Sequence, residues 1–411
     1  VTLTPTRPTP GAWPGLDAVP GGPRTAISAA VARRLFFSAI RRLPVTVHLD
    51  GETLGLGGPE MTVRRPDEFF ERLGRDGLIG FGEGYLTGAW DAEDLTPFLT
   101  VLAADVADLV PRPLQRLRAL VQHRMPRAHR TTKDQTRELI AHHYDLSNDL
   151  FRTFLDESLS YSSAWFDGAP DGDLREAQLR KIDRLLDVAR VGEGTRVLEI
   201  GTGWGELAIR AAARGASVRS VTLSSEQQSL ARERIEAAGL TERVQVDLCD
   251  YRDVDGEYDA VLSVEMIEAV GAEYWPTYFA TIDSLLAPGG RAAIQAILMP
   301  HDRMLATRGS FTWINKYIFP GGFLPSAQAI DEVTREHTSL RVSDRMAFGQ
   351  DYAETLRRWD DTFLEHADAV RRLGFDETFL RMWHFYLCYS RAGFASGYLD
   401  VEQVLLERAR A

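Results

Sequence analysis

Residues 196–209, RVLEIGTGWGELAI, run from an apolar β-branched stretch through an acid, Glu199, into glycines at 201, 203 and 205, and then into a helical pattern. Glycines at this spacing let a backbone turn tightly and approach a ligand at the carboxyl end of a strand, where open α/β sheets bind cofactors. A GxGxG run alone would also hold a dinucleotide, but no glycine completes the GxGxxG register, since position 206 is glutamate. Two further strand-like runs end in polar residues: VTLSSEQQ, with Thr222, Leu223 and Gln227, and VQVDLC, which leads into Asp250 and Tyr251. Other residues able to do chemistry are scattered: Ser163 in YSSAW, Glu265 and Glu268 one helical turn apart in SVEMIEAVG, Gln295 in AAIQAIL and Tyr352 in FGQDY. His142 and His143 have no acid or metal partner in sequence and read as structural.

VLEIGTGWG resembles the first motif of class I S-adenosylmethionine (SAM)-dependent methyltransferases, and the two later strand ends follow in that family's order. The resemblance implies SAM as cofactor. Tyr161 and Ser162 would touch its methionine end, while Gly201, Gly203 and Trp204 line the first loop. Thr222, Leu223 and Gln227 stand at the second strand end, and Asp250 and Tyr251 at the adenine edge. A second resemblance covers nearly everything from about residue 45 onward. AHHYDLSNDLFRTFLDESLSYSSAWFDG, SVEMIEAVG, WINKYIFPGGFLPS, FGQDYAETLRRW, FYLCYSRAGFASGYLDVEQVLLER and FGEGYLTGAWDAEDL resemble the cyclopropane-fatty-acyl-phospholipid synthase family, which includes the mycolic acid cyclopropane synthases. This implies transfer of a methyl carbon to the double bond of an unsaturated acyl chain on a phospholipid.

An alkene attacking the sulfonium methyl leaves a carbocation, so the site must be dry and must supply a base. Aromatic faces stabilise such a cation; the candidates are Trp165, Phe166, Trp204, Tyr161, Trp313, Tyr317, Phe319 and Tyr352. The family's proton acceptor is a bicarbonate ion, whose ligands map by motif onto Glu268, Tyr352 and the backbone of Ile297. Two ligands differ: Ser163 stands at the family's cysteine position and Gln295 at its histidine position. Both still donate hydrogen bonds, but neither titrates near neutrality, which puts the ion in question and makes Glu268 an alternative base. Glu265 is read as structural. Loss of a methyl proton with ring closure gives a cyclopropane; a prior hydride shift gives an exocyclic methylene, which a partner reductase converts to a methyl branch. The reading favours the methylene product of the family's actinobacterial branch, with the ring as its alternative. A small-molecule C- or N-methyltransferase would explain VLEIGTGWG but not HYDLSNDLF; a catalytically silent lipid-binding relative would be supported only by Ser163 and Gln295.

The elements that must position these residues follow from patterning. Five short apolar strands, RVLEIGTG, SVRSVTLS, VQVDLCD, YDAVLSVEM and RAAIQAILM, alternate with helical stretches. That pattern predicts an α/β fold of the class I SAM methyltransferase type, a Rossmann-like doubly wound parallel sheet, over residues 134–411. Residues 26–110 read as a small α+β domain for lipid contact and dimerisation, with helices at AISAAVARRLFFSAIRRL and PDEFFERLGRDG and a hairpin turn at Asp50-Gly51. Residues 1–25, rich in proline and glycine, read as a disordered arm. Residues 111–133 form a basic connector carrying six arginines and Lys133, suited to anionic head groups.

The 411 residues carry a net charge of −12, which argues against nucleic-acid binding. No apolar run has the length of a spanning helix and no signal peptide pattern is present. Cys249 and Cys388 fit no metal-ligand spacing and no disulfide framework. The expected setting is the cytoplasm, peripherally at the inner face of the membrane and as a homodimer.

Overall fold

The computed structural model describes residues 3–4, 7–9, 11–105 and 147–409. The basic connector and residues 142–145 lie outside the described residues. The chain divides into two compact units: residues up to 105 with Gly309–Ile318 and Leu356–Tyr398 form one, and residues 147–308, Phe319–Thr355 and the tail from Leu399 form the other. The first unit thus takes in two stretches expected to belong to the catalytic domain.

In the first unit, helix Pro23–Ile40 precedes a four-stranded sheet. Its strands are β1 (Thr46–Leu49), β2 (Glu52–Leu54), β3 (Glu60–Val63) and β4 (Trp90–Ala92), in the order β2-β1-β3-β4. Asp50 (φ 52°) and Gly51 (φ 79°) are both left-handed, as a two-residue hairpin turn of the I′ kind requires, and they close the Leu49–Glu52 pair. Phe69, Trp90, Phe98 and Trp383 are fully buried in this unit. A Cβ at Gly82 would lie 2.5 Å from the Trp313 ring, so glycine admits the indole, which also packs 4.8 Å from Phe385. Buried Glu83 accepts a 2.9 Å hydrogen bond from Tyr317 Oη and pairs with Lys316 and Arg72. Two of the candidate aromatics, Trp313 and Tyr317, therefore do packing and anchoring work here.

Residues 11–22 depart from the expected disorder. Arg72 donates to the carbonyls of Gly15, Leu16 and Ala18, Leu16 is buried, and Trp13 Nε1 donates to Asp376 at 2.8 Å. A buried guanidinium needs acceptors, and these carbonyls satisfy it. The fold also gathers Asp360, His384 and Cys388, with His384 Nδ1 2.7 Å from Asp360. No sequence spacing shows this cluster, because Asp360 comes from a different helix.

The second unit is built on seven strands: β5 (Arg196–Ile200), β6 (Ser217–Thr222), β7 (Val244–Leu248), β8 (Tyr258–Val264), β9 (Leu286–Leu298), β10 (Leu340–Ala347) and β11 (Asp400–Arg408), in the order β10-β11-β9-β8-β5-β6-β7. The five expected strands are parallel, while β11 runs antiparallel to β9 and β10 antiparallel to β11. The sheet is therefore mixed, where a parallel sheet is expected. Edge strand β10 carries Arg341, Asp344 and Arg345, charges that protect an edge and mask a strand pattern. Neighbouring strand residues enter opposite layers. Leu198 and Val261 join one core with Ile282 and Ile330; Val197 and Ala260 join the other with Leu185, Ala208 and Ile235. Burial on both faces explains why these strands read as continuous apolar runs.

Candidate active site

The carboxyl ends of β5, β6, β7 and β8 surround one cavity in the second unit. Gly201 (φ 97°), Gly203 (φ 52°) and Gly205 (φ 89°) all take left-handed backbone angles between β5 and helix Glu206–Ala213. A Cβ at Gly205 would come 3.2 Å from that of Ala231, so the loop packs closely on the next helix. Gly203 lines the cavity, and a Cβ there would meet no atom of the protein within 4 Å. Trp204 is buried, donates from Nε1 to Asn148 Oδ1 at 2.8 Å and packs 4.9 Å from Phe151. The SNDLF segment therefore braces the glycine loop, with Ser147 capping its short helix. Arg234 ties the same loop to the Ser158 and Trp204 carbonyls.

Each expected cofactor residue lines this cavity: Tyr161, Ser162, Gly201, Gly203, Trp204, Thr222, Leu223, Gln227, Asp250 and Tyr251. Thr222 donates to Gln227 Oε1 at 2.8 Å, so the group Gln227 offers a ligand is its amide N–H. Asp250 is held bidentately by Arg252. Burial pushes the Tyr251 phenol up to about 12, which keeps it neutral. Glu199, also in the lining, is raised to about 8 by burial, against a 2.5 Å hydrogen bond from Ser220. The left-handed glycine loop, the polar groups at the strand ends and the aromatic rings fit SAM.

At one end of the cavity lies a network that the scattered motifs did not reveal. Glu265 Oε1 accepts from the Ser163 backbone N–H at 2.9 Å and from Gln295 Nε2 at 2.8 Å; Oε2 accepts from Tyr352 Oη at 2.7 Å. The Ser163 hydroxyl turns away and donates to Ala164 O at 2.9 Å. Glu268 accepts the Ile297 N–H at 2.5 Å on Oε1, while its buried Oε2 has no hydrogen-bond partner among the described residues. Of the five residues assigned by resemblance, Ser163 (through its backbone N–H), Gln295 and Tyr352 thus meet Glu265, while the Ile297 N–H meets the fifth, Glu268. Bicarbonate does not fit this arrangement, because a second anion would have to displace a side chain that already satisfies its ligands.

The electrostatics separate the two acids. Burial, and after it the neighbouring Glu265 charge, raises Glu268 to about 8. Burial also raises Glu265, but Lys181 and the hydrogen bonds from Ser163, Gln295 and Tyr352 oppose that shift. Lys181 is buried, donates to Ser162 Oγ at 2.6 Å and is lowered to about 8 by burial, against Glu265 and Asp156. Behind Gln295 stands buried Gln403. Arg184 donates to Gln403 Oε1 at 2.9 Å, which leaves Gln403 Nε2 to donate to Gln295 Oε1 at 3.1 Å and to Lys181 O at 2.9 Å. An arginine only donates, so the chain of amides has one consistent direction and delivers an N–H to Glu265.

Lys181, Gln403, Arg184 and the role of Glu265 were missed by sequence reasoning. The one available signal was Lys181, one of three lysines among 47 basic residues. Of the candidate aromatics, Trp204 and Tyr161 line the cavity, and Phe166 is fully enclosed beside Ala164 and Ala177.

The family model described as mycolic acid cyclopropane synthetase matches residues 131–404. The chain belongs to this family. It is 56% identical over 406 residues to a tuberculostearic acid methyltransferase of Mycobacterium tuberculosis, with 96% of this chain and 95% of the relative covered. It is 34% identical to the cyclopropane-fatty-acyl-phospholipid synthase of Escherichia coli K12, covering 86% of this chain and 89% of that one. The crystal structure of the mycolic acid cyclopropane synthase CmaA1 with S-adenosylhomocysteine and CTAB superposes with a TM-score of 0.62 at 28% identity, over 66% of this chain and 98% of that one. The protein is a SAM-dependent methyltransferase of the α/β class.

Proposed function

We propose that the protein methylates the double bond of an unsaturated acyl chain carried on a phospholipid, and that a methylene-branched stearate-type chain is its product. The 56% identity to a tuberculostearic acid methyltransferase across 96% of the chain carries this reading, since tuberculostearic acid is a methyl-branched stearic acid. When bound, SAM supplies an electrophilic methyl group whose transfer to an alkene leaves a carbocation. The chain supplies the rest: a glycine loop that seats the cofactor, aromatic walls at Tyr161 and Trp204, and the acid Glu265 in the cavity wall. A reductase would complete the methyl branch.

The protein would work as a homodimer at the inner, anionic face of the membrane. No helix among the described residues is long and apolar enough to cross a membrane. Helix Pro23–Ile40 presents exposed Ile27 and Val31 one turn apart, together with Arg24, Arg33 and Arg34, a pattern that suits peripheral lipid contact. Expression in a heterologous host followed by gas chromatography–mass spectrometry of its lipids is the test: a methylene-branched chain is expected, and a ring-only profile would overturn the product assignment. The second reading, a cyclopropane product, is favoured by the match to the Escherichia coli enzyme.

A further inference from the structure

We propose that Glu265 is the proton acceptor of the reaction, a base built into the chain in place of a free anion. This rests on the methyl-transfer reading above and adds the group that quenches the cation. Glu265 lines the cofactor cavity together with Tyr161 and Ser162. Its two oxygens are seated by three converging donors: the Ser163 N–H, the Gln295 amide and the Tyr352 hydroxyl. Those are the donors that would otherwise bind a small carboxylate-like anion, and the side chain delivers the same functional group in cis.

Three further observations support the assignment. Glu265 is a non-glycine residue at φ 49°, a left-handed conformation that a side chain rarely adopts. Strain of this kind persists where the surroundings enforce it and clusters at functional sites. Second, the acids are differentiated: burial raises both, but Lys181 and three donors oppose the rise at Glu265, whereas at Glu268 the neighbouring Glu265 charge adds to it and one oxygen has no partner among the described residues. The better-compensated carboxyl ionises more readily and is the one placed to accept a proton. Third, the Arg184–Gln403–Gln295 relay fixes the Gln295 amide with its N–H toward Glu265. Gln295 and Gln403 are positioning residues in this scheme.

The step balances without an added reagent. The π pair of the olefin forms the new carbon–carbon bond as the methyl–sulfur bond breaks, and sulfur keeps that pair as a neutral thioether. Glu265 then takes a proton from the transferred carbon. The released C–H pair either closes a ring onto the cation or, after a hydride has moved from the methylated carbon to its cationic neighbour, forms the methylene double bond. Glu265 leaves as the neutral acid and returns its proton to solvent before the next turnover.

The full-length protein, methyl-labelled SAM and vesicles of unsaturated phospholipid test this directly. Wild type should label lipid at the same rate in carbon dioxide-free buffer and with added bicarbonate. Glu265→Gln should still bind S-adenosylhomocysteine yet lose about 100- to 10,000-fold in turnover, the range for a positioned base. Glu265→Gly relieves the left-handed strain and bares the three donors, so added formate or bicarbonate should restore part of the activity. A Glu265→Gln variant with wild-type turnover, a wild type that stops without bicarbonate, or a Glu265→Gly variant beyond rescue would each overturn the assignment. A wild type that labels no lipid would instead defeat the methyl-transfer reading itself.

Discussion

Replacing Gln403 with leucine tests whether the relay behind the site acts as a unit. The side chain is 1% exposed and similar in volume to leucine, so the change removes hydrogen bonds and leaves no large cavity. It loses the bond from Arg184 and the bond to Lys181 O, each worth about 1 kcal/mol net. It also leaves Gln295 Oε1 buried without its donor, at about 1–3 kcal/mol. The total, about 3–5 kcal/mol, should move the urea unfolding midpoint down by about 1–2 M. The functional consequence is separate. Without the Gln403 donor nothing fixes the far end of the Gln295 amide, so its N–H bond to Glu265 loosens. Because that N–H holds the Glu265 pKa down, its weakening raises the pKa, and the acid limb of the kcat–pH profile should move up by about 1 unit, equivalent to about 1.4 kcal/mol. Lipid labelling across pH, at saturating SAM, reads this shift. A Gln403→Leu protein with an unchanged acid limb and unchanged midpoint would refute the relay.

Asn148→Ala removes the acceptor that Asn148 offers the Trp204 N–H behind the glycine loop, and S-adenosylhomocysteine affinity should fall about fivefold by calorimetry, for about 1 kcal/mol. Gly203→Ala keeps a left-handed φ at about 1–2 kcal/mol and fills the open side of the loop, so cofactor affinity should fall by more than unfolding stability does; equal losses would count against the cradle. Glu199 has a folded pKa of about 8 against an unfolded 4.5, so its contribution to stability is complete below about pH 4.5 and is lost as pH rises through 8. The cofactor-free protein should lose up to about 1.4 kcal/mol per pH unit across that window from this group, and Glu199→Gln should flatten the decline in scanning calorimetry.

The amino-acid sequence by itself determined the cofactor half of this protein. Gly201, Gly203 and Gly205 at a strand end, and Thr222, Gln227 and Asp250 at the next two, are local signals, because a strand terminus and its loop are contiguous in the chain. The five parallel strands were legible for the same reason: burial on both faces makes each a short apolar run. The Asp50-Gly51 turn needed only two residues to be read. Tertiary structure decided what lies further apart in sequence. The tail strand β11 was hidden because its apolar and polar residues follow no clean alternation, yet it brings Gln403 beside Gln295, 108 positions away. Likewise Glu265 and Ser163 are separated by 102 positions. Read locally, Glu265 is an acid one turn before a motif glutamate. Only the fold aligns it with the three donors: the register of β8 and β9 brings Gln295 beside it, while Ser163 comes from a loop and Tyr352 from helix Gly349–Glu365, and no local sequence pattern encodes that convergence.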